Sequence, residues 1–107
     1  MNRERHSSIE NMADAMQEKL AKNAVKKGWP TNTKGKRGWL SDVCPTEFLV
    51  EKLREEVGEL LDATDSVIQC NRRLSPSASK LRDLKFEAAD VANLAMMIAD
   101  NLGAYDE

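Results

Sequence analysis

The sequence predicts an all-α fold, an antiparallel helical bundle of about three main helices in one domain over 1–107. Three observations carry this. Three long stretches repeat apolar residues every three or four positions, the period of a helix. No stretch of useful length alternates apolar and polar residues as a half-buried strand does. Breaks rich in Gly, Pro and Ser separate the periodic stretches. With 107 residues the chain supports one modest core. Aromatic residues make up only 5%, so such a core is expected to be completed by oligomerisation.

The first helix is expected over about 8–27. Ser7 and Glu10 have capping-box spacing, and Ile9, Met12, Met16, Leu20 and Ala24 form a thin stripe. Gly28, following Lys26 and Lys27, reads as its stop. Residues 28–44 read as a loop, with three of the five glycines and both tryptophans, Trp29 and Trp39. A loop this long in a small domain calls for a function. Its tryptophans need cover, from the bundle or from a stacked base, and Lys34, Lys36 and Arg37 between them suit phosphate.

The second helix is expected over 45–70, with Pro45 at its first position and Glu47 in its first turn. Its apolar residues are Phe48, Leu49, Leu53, Val57, Leu60, Leu61, Val67 and Ile68. Gly58 in its middle serves either a close helix–helix approach or room for a ligand. The third helix is expected over 77–102, capped by Ser75 or Ser79 and ended by Gly103. Leu81, Leu84, Ala88, Val91, Leu94, Ala95, Ile98 and Leu102 form its stripe.

Composition excludes several classes. A net charge of −2 implies neither an acidic nor a basic partner. No run approaches the ~18 apolar residues of a membrane span. Met1 to His6 is charged and leads into no apolar signal core, and Cys44 and Cys70 form no metal-type pair. Reduced thiols in a cytoplasmic protein are the expectation.

Two acidic motifs stand out: Glu55-Glu56-Val57-Gly58-Glu59 and Glu87-Ala88-Ala89-Asp90. Each puts two carboxylates three residues apart, on one helix face. Leu49, Leu53, Leu60 and Val67 place Glu56 on an apolar seam, and Leu84, Val91, Leu94 and Ile98 do the same for Glu87. A lone buried carboxylate is heavily penalised, so two of them suggest a shared partner. Two carboxylates ~5 Å apart repel by roughly 3 kcal/mol at an effective dielectric of 20. Four converging groups therefore need cations or protons. Oxygen-only ligands suit Mg2+ or Mn2+ rather than zinc, and a di-iron site would want Glu-x-x-His pairs, whereas His6 is the only histidine. The plainer account is a salt-bridged rim, with Glu55 and Glu59 on Lys52 or Arg54 and Glu87 on Arg82 or Lys85.

The run Lys52 to Leu60, followed by Glu87-Ala88-Ala89-Asp90-Val91-Ala92-Asn93, resembles the MazG family of all-α nucleoside triphosphate pyrophosphohydrolases. Their pattern is EExxE followed, after a variable spacer, by ExxD. Lys27-Gly28-Trp29 and the ending Asn93 to Asp100 look most like short bacteriophage members. The resemblance covers about Met16 to Gly103.

It implies Glu56, Glu59, Glu87 and Asp90 as Mg2+ ligands, with Mn2+ as a substitute. Glu55 and Glu56 would be catalytic, Glu55 by orienting or deprotonating water or by holding a further cation. Asn93, one turn after Asp90, would hydrogen-bond sugar or base. From the loop's own chemistry, Trp29 and Trp39 are candidates to stack on a base and Lys34, Lys36 or Arg37 to screen phosphates, although tryptophans that simply cover the bundle are the favoured account. The implied reaction is hydrolysis of a nucleoside triphosphate, a dNTP first, to the monophosphate and pyrophosphate. The implied assembly is a homodimer or homotetramer in a bacterial or phage-infected cytosol. The chief alternative is a catalytically silent helical interaction protein. A third reading binds single-stranded nucleic acid through the aromatic–basic loop, against which the net negative charge speaks.

Overall fold

The computed structural model describes residues 6–23, 44–73 and 77–105, the side chains of 23 and 71–73 excepted. Its elements are α1 (Ser7–Asn23), α2 (Thr46–Arg73) and α3 (Ala78–Asn101), with no strand among the described residues. The fold is all-α, as the periodicity predicts. Trp29, Lys34, Lys36, Arg37 and Trp39, and the expected end of the first helix, lie outside the described residues.

α3 is the central helix. α2 packs along it and α1 packs along it, while the backbones of α1 and α2 stay apart. Both pairings are antiparallel. The Thr46 hydroxyl donates to Asn101 Oδ1 at 2.6 Å and Lys80 Nζ donates to Ser66 Oγ at 2.9 Å, so the start of α2 meets the end of α3. On the other side, Asn93 Nδ2 donates to the Met16 carbonyl at 3.0 Å while Lys19 pairs with Asp90 at 3.3 Å.

Being packed on two sides changes which face of α3 is buried. The expected stripe leaves Leu81 and Leu102 exposed, whereas Ala89, Asp90, Asn93, Leu94, Met97, Asp100 and Asn101 are buried. A single apolar stripe describes a helix with one neighbour; α3 has two. On α2 the seam holds at Leu49 and Val67, while Val57, Leu61 and Ile68 face outward. The core gathers where α2 begins and α3 ends, around Cys44, Leu49, Leu94 and Met97, with Leu20, Phe48, Leu53, Met96 and Ile98 against it. Asn101 ties this end together, since its Nδ2 also donates to the Cys44 carbonyl at 2.9 Å.

The caps differ from expectation in instructive ways. His6, not Ser7, closes α1: its carbonyl accepts from Ile9 and Glu10, and its Nδ1 accepts from the Ser8 amide. Pro45 lies just before α2, where its carbonyl accepts from the Phe48 amide, and α2 runs three residues past the expected Cys70. Ser77 caps α3, in place of Ser75 or Ser79, by accepting from the Lys80 amide at 3.2 Å. Gly103 ends it as expected, with φ 84. The Gly103 amide donates to Asp100 and the Ala104 amide to Ala99, a Schellman closure that needs the left-handed residue.

Candidate functional site

The antiparallel register decides which carboxylates meet. A pairing that sets Thr46 against Asn101 and Ser66 against Lys80 also sets Glu56 against Asp90 and Glu59 against Glu87. One oxygen each from Glu56, Glu87 and Asp90 falls within 4.8 Å of the others. The two motifs, remote in sequence, thus converge halfway along the α2–α3 contact. Glu56 is 9% exposed and Asp90 8%, Glu87 is half-buried, and Glu59 is exposed at the rim. Glu56 Oε2 and Glu87 Oε2 are buried, with no hydrogen-bond partner among the described residues.

Electrostatics follow from that crowding. Burial pushes the Glu56 carboxyl up to about 8, helped by a hydrogen bond with Glu59 and by the charges of Asp90, Glu59 and Glu87. Burial raises Glu87 as well, with Glu59 and Asp90 adding repulsion and Lys19 partly offsetting it. Such a site holds protons or cations when it is folded. Among the described residues the cation that reaches it is Lys19 of α1, whose Nζ lies 3.3 Å from Asp90 Oδ2.

The salt-bridged-rim account is met at one position. Lys52 pairs with Glu55 at 3.2 Å, while Arg54 turns to Glu51 at 3.1 Å. Among the described residues, no ion pair reaches Glu59 or Glu87, and Lys85 lies over the Phe86 ring. Glu55 is therefore a solvent-facing carboxylate outside the three that converge. Asn93 is 1% exposed, and its Nδ2 ties α3 to α1.

Beside the cluster, a cavity of about 210 Å³ is lined by Glu59, Ala63, Ser66, Lys80, Asp83 and Glu87. It starts at the carboxylates and ends two helical turns away, at the Lys80–Ser66 hydrogen bond. Sequence reasoning missed Lys80, Ser66 and Lys19. Nothing in the period of either helix singles out the first two. Lys19 did carry a signal, since it shares a face with Met12 and Met16, seven and three residues earlier. Among the described residues, nothing lies within 4 Å of a Cβ added at Gly58, so a close approach of α1 or α3 is not its reason.

Compared with models of protein families, with curated proteins and with solved structures, the chain finds no match. Among the described residues, no helix is long and apolar enough to cross a membrane.

Proposed function

We propose that the chain hydrolyses a nucleoside triphosphate to the monophosphate and pyrophosphate with Mg2+, as its resemblance to the MazG pattern implies. The observation that supports this best is the convergence of Glu56, Glu87 and Asp90 from two helices, with the buried Glu56 Oε2 and Glu87 Oε2 unpartnered among the described residues. The donor set is oxygen only and fits a hard divalent cation. Glu56, Glu87 and Asp90 would hold it, joined from the rim by Glu59. Mg2+ held there supplies charge neutralisation at the leaving pyrophosphate and orients the triphosphate.

The chain's own residues do the rest. The cavity from Glu59 to Lys80 gives an extended nucleotide a groove to lie in, with the Lys80 cation available to an anionic group and Asp83 to a hydroxyl or amine. Glu59, exposed at the rim and lining the cavity beside Glu87, is a better candidate than Glu55, which pairs with Lys52, to take the proton of the attacking water. Water oxygen bonds to the α-phosphorus as the bond to the bridging oxygen breaks.

The silent interaction protein is the second reading. Val57, Leu61 and Ile68, exposed along one face of α2, favour a self-associating surface under either account. Incubation with Mg2+ and a panel of nucleoside triphosphates separates the two. The enzyme releases pyrophosphate from at least one of them, and Glu56→Gln and Glu87→Gln abolish release while keeping the helical circular dichroism. No turnover across the panel favours the silent protein.

A further inference from the structure

We propose that Lys19 is a tethered cation that competes with the divalent metal for the carboxylate cluster, so that α1 sets the metal affinity of the α2–α3 site. This rests on the metal-site reading above and adds a regulator to it. Three observations carry it. Lys19 Nζ lies 3.3 Å from Asp90 Oδ2, and Asp90 is one of the three groups whose oxygens gather within 4.8 Å. The side chains of this pair are 22% and 10% exposed, so the contact is shielded far more than the pairs of Lys52 and Arg54 on the surface of α2. Glu56 is more than nine-tenths buried, and its Oε2 has no hydrogen-bond partner among the described residues. Among the described residues, the ammonium of Lys19 on Asp90 leaves the Glu56 and Glu87 carboxylates without an ion pair of their own.

The arrangement suits exchange. A lysine is a compact point charge on a flexible stem, and Lys19 is anchored on a helix whose backbone packs along α3 and stays apart from that of α2. It can leave Asp90 without disturbing the α2–α3 contact that builds the site. A divalent ion carries twice the charge and can engage carboxylates from both helices, whereas Lys19 reaches Asp90 alone among the ion pairs it forms. With no metal the lysine neutralises part of the cluster; with metal bound, the ammonium is repelled and is free to turn to an anionic ligand. Metal binding therefore includes the work of evicting Lys19, and removal of its charge tightens binding.

The test is Mn2+ binding by the full chain, read from the loss of the free-ion paramagnetic resonance signal at fixed pH and low salt. Lys19→Met removes the charge and keeps the length; Lys19→Arg keeps the charge; Lys22→Met removes a charge from the same helix, where Lys22 pairs with Glu18 and lies over Phe86. The expected result is a Kd about tenfold lower for Lys19→Met, with Lys19→Arg and Lys22→Met near wild type. Unchanged or weaker binding by a folded Lys19→Met overturns the proposal and leaves the metal site standing. Absence of Mn2+ binding in every variant overturns both. A second measurement needs no variant: acetylation of Lys19 in the wild-type chain, followed by mass spectrometry, should speed up on adding Mg2+. Equal rates with Mg2+ and with chelator contradict displacement.

Discussion

Replacing Glu56 by glutamine is expected to stabilise the metal-free protein at alkaline pH, an unusual outcome for a substitution at a buried polar position. The folded-state carboxyl titrates at about 8 against an ordinary 4.5, so the folded chain holds the Glu56 proton more tightly than the unfolded one. That contribution is complete below pH 4.5 and is lost as the pH climbs to about 8. Each tenfold in proton affinity is about 1.4 kcal/mol, so the ionised group opposes folding by up to about 5 kcal/mol. A glutamine amide still has to be dehydrated, which leaves a net gain of about 2–4 kcal/mol for the variant. For a chain of this size that raises Tm by about 8–16 °C. Thermal melts followed by circular dichroism in chelator should show the two proteins alike near pH 5 and the variant ahead at pH 9. Adding Mg2+ should reverse the order, because only the wild type gains from binding. A variant that melts at or below wild type at pH 9 in chelator refutes the reasoning.

Three further outcomes follow from the fold. Gly58→Ala should stabilise by about 0.5–1 kcal/mol, since among the described residues an added Cβ meets open space on an exposed helix face; a loss in a thermal melt would mean that this face is packed against. Asn101→Ala should cost about 1–3 kcal/mol in a urea titration, because it leaves the Cys44 carbonyl and the Thr46 hydroxyl without their partner. Leu61→Lys, on the outward stripe with Val57 and Ile68, should lower the sedimentation coefficient toward that of a monomer. A wild type already monomeric at high concentration would remove the expectation of self-association.

Much of the fold was legible because helices announce themselves locally. The periods of α2 and α3, the Gly103 stop and the seam around Glu56 all depend on neighbours within a few turns. Glu56 stood out as an acid on an apolar seam, and the structure buries it. The rotation of α3 was not legible, since a helix packed on two sides buries Asp90, Asn93 and Asn101 that a one-sided stripe assigns to its edge. Lys19 and the Lys80–Ser66 closure depend on how separate helices align, which no single helical period encodes. The caps moved for a local reason: a histidine nitrogen and carbonyl served α1 as well as Ser7 would have.

On the proposed function, carboxylates of α2 and α3 together hold one divalent cation. Crystals soaked in Mn2+ and measured at an energy where manganese scatters anomalously address it directly. The account predicts a peak bounded by the Glu56, Glu87 and Asp90 oxygens, lost in Glu87→Gln. A protein that takes up Mn2+ only elsewhere, or not at all, contradicts it.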